Sequence, residues 1–419
     1  MSRPARITHR AIAARVAGSV ALLALAPLAA HAQVAVRGET VHTMAGAPIR
    51  DGVVLVGRDG KIERVGPASQ VRIPQGYRTL AAKVVTPGLV DAHTVVGLAG
   101  ALNQPHDQDQ LDRTNPIQPE LRAVDAYNAE EELVAFLRGM GVTTLHTGHG
   151  PGALVSGQTM VVKSRGRTVD EALVDSSTML ALTLGPAVSQ NFTPRAPGTR
   201  SKGVAMLRES FIKAQDYARK VRAAGDDASK RPARDLGLEQ IARVLDRSMP
   251  AMITAQQVPE ILAALRLQKE FGFRLVLDGA ADAHLVVNEI RAAGVPVILH
   301  PTMVRPGGPT ENATLETAKI LRDAGIRVAL QSGYEGYVPK TRVVLYEAAV
   351  AAANGLTFDQ ALATVTIDAA RIIGQERRVG SLERGKDGDL ALFDGDPFEY
   401  TSKVCGVVIE GEVVSEQCR

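Results

Sequence analysis

Histidines and carboxylates stand at the ends of several apolar runs in this sequence, and they are the side chains best suited to chemistry. His93 closes one run, His300 closes another, and Asp278 follows a third. His146 and His149 lie in Leu145-His146-Thr147-Gly148-His149-Gly150, while His106 and Asp109 lie in Pro105-His106-Asp107-Gln108-Asp109. Imidazole and carboxylate groups converging from several strand ends suit a divalent cation, which polarises a carbonyl and acidifies bound water. One arrangement is therefore a metal site built from His93, His146 or His149, and His106 or Asp109. The other is a set of loop and pocket-wall hydrogen-bonders, because these residues show no diagnostic ligand spacing. Asp278 reads either as an acid or base or as the cap of the helix after its strand. Ser156 and Ser332 have no histidine at a useful offset, so a serine nucleophile has no basis. Gly148-His149-Gly150-Pro151-Gly152 lacks the lysine and following helix of a phosphate loop, and reads as a tight turn.

Positioning such groups takes strands that end together. Val84–Val90, Val142–Thr147, Ala251–Ala255, Arg274–Leu277, Val295–His300 and Arg327–Leu330 have the length and β-branched content of strands. Helical spacing fills Glu131–Met140, Pro259–Phe271, Ala283–Ala293, Ala313–Ala324, Val343–Ala353 and Phe358–Thr364. Strand–helix alternation at this spacing predicts a parallel barrel, and a doubly wound open sheet fits the same spacing. The polar stretch 195–247 reads as a solvated helical excursion. Before and after this α/β middle the texture changes to short strands and tight turns. Gly52–Gly57 and Lys61–Val65 flank Arg58-Asp59-Gly60, a hairpin signal. Near the other end, Asp389–Phe393 is a strand candidate, and Val404–Ile409 and Glu412–Ser415 flank Glu410-Gly411. The two ends together predict one small β domain.

Bulk properties narrow the classes further. The 419 residues are 45% hydrophobic but carry no Trp and only 4% aromatics, so the core must rest on aliphatic side chains. Arg3, Arg6, Arg10 and Arg15 precede an apolar run from Val16 to Ala29 and the small-residue pattern Ala30-His31-Ala32. That order predicts a signal peptide over residues 1–32, cleaved after Ala32, and a product exported to the periplasm or beyond. The run is short for a bilayer span, although an N-terminal anchor would share its pattern. Removing its four arginines takes the net charge from +3 to −1, so no basic surface for nucleic acid remains. The two cysteines, Cys405 and Cys418, flank the last hairpin, where pairing would bring their sulfurs together; two free thiols are the alternative.

Several segments carry a family likeness. Thr86-Pro87-Gly88-Leu89-Val90-Asp91-Ala92-His93 resembles the first barrel strand of amidohydrolases, where "PGLIDAHxH" delivers metal ligands. Gly380-Ser381-Leu382-Glu383-Arg384-Gly385-Lys386-Asp387-Gly388-Asp389-Leu390 resembles the closing motif of that superfamily, with Asp394-Gly395-Asp396-Pro397 and the Val407–Glu412 hairpin after it. Pro119-Glu120-Leu121-Arg122-Ala123-Val124-Asp125-Ala126 and Gly152–Gln158 resemble the imidazolonepropionase-related branch. The resemblance implies a (β/α)8 TIM-like barrel over 85–377 with a discontinuous β-sandwich from 33–84 and 378–419. It also implies hydrolysis of carbon–nitrogen bonds in amides, cyclic amides or non-standard peptides, with zinc or another divalent metal.

Residue by residue, the implied site departs from the family. His93 matches the first histidine, but Val95 stands at the second. Residues 176–190 offer no bridging Lys or Glu, Thr254 and Gln256 replace the histidine of the fifth strand, and Gly279 replaces that of the sixth. Gly333 stands where the catalytic aspartate belongs. One imidazole with Thr, Gln and Gly cannot hold zinc at trace concentration, so no cofactor is expected unless the site is unconventional. Arg122, His146, His149, Gln256 and Tyr334 are then pocket residues, and Asp278 and His300 the candidates for proton transfer. Two functions stay open. One is a carbon–nitrogen hydrolase with an unusual site. The other is an inactive homologue that binds a small molecule or assembles, as a homo- or hetero-oligomer, with a related amidohydrolase.

Overall fold

Alternating apolar residues and tight turns begin the described chain with β1 (Val34–Val41), β2 (Ile49–Val56), β3 (Ile62–Pro67) and β4 (Arg78–Pro87). The structure is a computed structural model and describes residues 33–102, 104–300, 306–334 and 343–418. The basic and apolar leader, with the expected cleavage point at Ala32, lies outside the described residues. The Asp59-Gly60 turn is needed where it stands. Gly60 has φ 74°, and a Cβ there would lie 2.5 Å from the Glu410 carbonyl oxygen of the last hairpin.

The middle of the chain supplies β5 (Leu89–Thr94), β6 (Val142–Thr147), β7 (Val155–Gln158), β8 (Met160–Lys163), β9 (Leu173–Asp175) and β10 (Leu180–Thr183). It continues with β11 (Ala251–Ala255), β12 (Leu275–Gly279), β13 (Val297–Leu299) and β14 (Val328–Leu330). The polar excursion is two helices, Arg200–Ala224 and Leu236–Leu245. The chain closes with β15 (Leu390–Phe393), β16 (Val404–Ile409) and β17 (Glu412–Ser415). No helix among the described residues is long and apolar enough to cross a membrane.

Both ends of the chain build one seven-stranded sheet in the order β17-β16-β15-β4-β1-β2-β3. The single strand expected over Val84–Val90 is in fact two. Pro87 has no N–H to extend a ladder, so β4 ends there. Gly88 N then donates to the Asp389 carbonyl at 2.9 Å, and Leu89 N donates to the Gly141 carbonyl at 2.9 Å. Within three residues the chain passes from the composite sheet to the strand that carries His93.

The remaining strands form two further sheets, β14-β13-β12-β11-β10-β7 and β5-β6-β8-β9. Pairing is parallel through β10–β14 and between β5 and β6. Between β6 and β10 the chain runs the other way: β8 is antiparallel to β6, and β7 is antiparallel to β10. A parallel bridge between Thr94 and Gly333 joins the end of β5 to the segment after β14. The architecture is mixed α/β.

Strand alternation then sorts the side chains. Val90, Val161, Met179, Ala181, Met252, Val276, Ile298 and Ala329 pack together as one apolar cluster. Leu89, Leu180, Ile253, Leu277, Leu299 and Leu330 face the other way, into the large core that also takes in helix residues such as Leu133 and Ile261. A step of two residues keeps a side chain on the same face of its strand. From the apolar cluster, that step reaches Thr159, Thr183, Thr254, Asp278, His300 and Gln331, all buried. A polar layer thus lies directly beyond an apolar one.

Candidate active site

His93 is the centre of that layer. Its Nδ1 lies 2.9 Å from Asp278 Oδ1, and both side chains are buried. Thr254 Oγ1 donates to Asp278 Oδ2 at 2.6 Å, and Gln331 Nε2 donates to Asp278 Oδ1 at 2.9 Å. Residues from three strand ends and His93 therefore meet on one carboxylate. His93 Nε2 has no hydrogen-bond partner. Burial works against a charged ring, but the adjacent Asp278 carboxylate outweighs it and raises the pKa of His93. Burial likewise opposes ionised Asp278, yet His93, Thr254 and Gln331 bring it below its ordinary value.

A second carboxyl sits beside the first strand. Asp91 Oδ1 accepts from Ser332 N at 3.1 Å and from His93 N at 3.4 Å, while Ser332 Oγ donates to Thr94 Oγ1 at 3.1 Å. Burial pushes Asp91 up to about 7 against those hydrogen bonds. These contacts pin the segment after β14 to β5, at the same place as the Thr94–Gly333 bridge.

His146 is brought close, its ring 6.1 Å from that of His93, but it is fully used. Its Nδ1 bonds to the Ala92 carbonyl at 2.6 Å and its Nε2 to Thr159 Oγ1 at 2.7 Å. Burial pushes it down to about 4, with the nearby His93 adding to the shift. His149 is buried too, with neither ring nitrogen hydrogen-bonded, and burial also pushes it down to about 4.

Of the two readings of these histidines, hydrogen-bonders or a relocated metal site, the second finds no group of ligands brought together among the described residues. His106 is exposed and lines, with Asp109 and Glu130–Glu132, a loop cavity of about 400 Å³ that does not include His93. Arg122, expected in the pocket, is half exposed and stands 4.0 Å from Asp125. The helix-cap reading of Asp278 is corrected: the helix after its strand, Val287–Ala293, has Val286 at its N-cap and no side-chain cap, whereas the Asp278 oxygens serve His93, Thr254 and Gln331. Gln256 and Tyr334 do meet, with Gln256 Nε2 donating to the phenol oxygen at 3.3 Å and the Tyr334 ring 6.3 Å from His93. His300 is buried at the end of β13, its N–H donating to the Gly279 carbonyl at 2.8 Å.

Thr254 was legible only as a departure from a motif, and Gln331 was not read at all. Their partnership with Asp278 follows once the two-residue alternation is counted from the apolar cluster. The branch-like segments also find an account: Gln158 N donates to the Leu121 carbonyl at 2.8 Å and Gln158 Nε2 to the Pro119 carbonyl at 3.1 Å. They hold one another rather than the reacting groups.

The donors around His93 do not fit a divalent metal. Val95 is apolar and buried, His146 has both nitrogens committed, and Asp278 has both oxygens accepting. Among the described residues no group of three or more His, Cys, Asp or Glu is placed to hold such an ion.

Comparison with known proteins agrees with this mixed α/β fold. The profile of the Amidohydrolase family matches residues 237–415. A solved amidohydrolase from Thermotoga maritima superposes with a TM-score of 0.86 and 28% identity, covering 92% of this chain and 100% of that one. The chain belongs to the amidohydrolase superfamily. An imidazolonepropionase from Brucella anthropi is 27% identical over 399 residues, spanning 87% of this chain and 91% of its own. Another from Sphingopyxis alaskensis is 28% identical over 394 residues, spanning 86% and 92%. Within the superfamily, the chain falls in the imidazolonepropionase-related branch.

Proposed function

We propose that this protein is a hydrolase of carbon–nitrogen bonds in amides and cyclic amides, working from the buried His93–Asp278 pair. The pair itself carries the reading. Buried charge pairs add little to stability compared with apolar packing, so one kept among strand ends, with His93 Nε2 unbonded, is best explained by use. The parallel bridge between Thr94 and Gly333 supports reading these strands as the family's barrel, with this pair at the strand ends.

Asp278 fixes the imidazole and favours its charged form, and Nε2 meets the substrate. The neutral ring takes a proton from water as the hydroxyl adds to the carbonyl carbon, and the charged ring, stabilised by Asp278, then gives that proton to the nitrogen as the C–N bond breaks. Gln256 and Tyr334 are placed to line the substrate's path. The basic–apolar leader and the cysteine pair support an exported product.

Purified mature protein should turn over imidazolone propionate, the compound in the relatives' name, or cyclic amides, N-acyl amino acids or dipeptides. Asp278→Asn should then lower kcat/KM by about 10²–10⁴-fold, the range for a lost acid–base group. Absence of turnover across that panel by folded protein sinks the hydrolase reading. A ligand-dependent rise in melting temperature without turnover would instead establish the binding homologue.

A further inference from the structure

The replacements around His93 are not independent of one another. Gly279 has φ 76°, and a Cβ built there would lie 2.9 Å from Cδ of Gln256. Gln256 is held at both ends, by its bond to Tyr334 and by Ala281 N donating to its Oε1 at 3.2 Å. An imidazole at 279 and the Gln256 amide at 256 cannot occupy that space together. We propose that the strand-end centre has been rebuilt as a hydrogen-bonded clamp closed to divalent cations, in which Gln256 fills the space of the missing 279 side chain and Gln331 and Thr254 take the binding positions of Asp278.

Electrostatics point the same way. Gln331 Nε2 and Thr254 Oγ1 aim hydrogens at the carboxylate, so a cation approaching Asp278 would meet positive ends of dipoles. Gln331 is steadied by a further contact, its Nε2 lying 3.4 Å from the Ile298 carbonyl. Gln331 and Thr254 are positioning residues in this scheme, acting on His93 through Asp278. The inference shares with the hydrolase reading only the choice of centre.

Zinc content and zinc response of the full mature protein test it. After dialysis against micromolar zinc, elemental analysis should find far less than one equivalent, and neither zinc nor a chelator should move the melting temperature. Near-stoichiometric zinc that survives dialysis, or melting lowered by chelator, overturns the proposal. A double-mutant cycle tests the shared space without any metal. Gly279→Ala should lower the melting temperature by several degrees, and Gln256→Gly in that background should restore part of the loss. Purely additive losses overturn the coupling. If the zinc and cycle results hold while no amide is turned over, the hydrolase reading fails and this one stands.

Discussion

His149 has its imidazole inside the protein with no hydrogen bond to either nitrogen, so burial of a proton added there outweighs the attraction of Asp112. Its pKa of about 4 follows from that burial, and the sign of the consequence can be worked out. Between about pH 4 and 6.5 the unfolded chain binds a proton at His149 that the folded chain does not, so acid favours unfolding. His149→Gln removes this penalty. Its stability relative to the natural protein should therefore improve by about 2 kcal/mol between pH 7.5 and 5, read from urea unfolding at both values. A constant difference would show a normally titrating ring. Asp278→Asn works in the opposite sense. His93 would lose the carboxylate that stabilises its charge, at a cost of about 3–5 kcal/mol as for a broken buried pair. The sequence marked His93 because a motif surrounds it, and the same comparison marked the departures at Val95, Thr254, Gln256, Gly279 and Gly333. It did not expose the clamp, since Thr254 and Gln331 resemble no motif and matter only through the fold.

At the scale of elements, β8 carries the most information because it runs against its neighbours. Its reversal places Thr159, just before its start, on His146, while Lys163 at its end reaches the composite sheet. Lys163 Nζ lies 2.9 Å from Asp387 and 2.7 Å from Asp389, and all three side chains are buried. Lys61 and Arg378 also pair with Asp387, and Arg378 lies 2.9 Å from Glu410. The closing motif, read in the sequence as a family mark, is thus an ionic knot that ties the last sheet strands to β8. Lys163→Met would leave Asp389 buried without its cation and should lower stability by about 3–5 kcal/mol. Lys163→Met with Asp389→Leu should recover most of that, because both charges are then gone. Failure of the double variant to recover would mean the lysine stem matters more than the charge. The strands β7 and β8 themselves were not foreseen. Ser156-Gly157-Gln158 interrupts the apolar pattern, and four-residue strands leave too little periodicity to read.

For the whole molecule, the decisive fact is that the two ends of the described chain share one sheet. β4 lies between β1 and β15, so the sheet is complete only when residues about three hundred apart have met. That composite was legible in the sequence, since both ends have the same turn-rich texture, whereas the Gly88 relay was not, because Val84–Val90 reads as one apolar run. The last strand is the weakest part of the arrangement. β17 is only half buried and pairs with β16 alone, but the Cys405–Cys418 disulfide joins β16 to the residues after it. A bridge across a sequence separation of 13 restricts the unfolded chain by about 3 kcal/mol in the loop-entropy account. Little of that should appear as global stability, because an unbridged hairpin can fray while β15 and β4 stay paired. Replacing both cysteines by serine should therefore speed hydrogen exchange at 412–415 at least about tenfold, leave β10–β14 protected, and remove any response to reductant. Uniform acceleration through both sheets would mean that the bridge holds the entire fold, and unchanged exchange at 412–415 would mean that β17 is held by its sheet contacts alone.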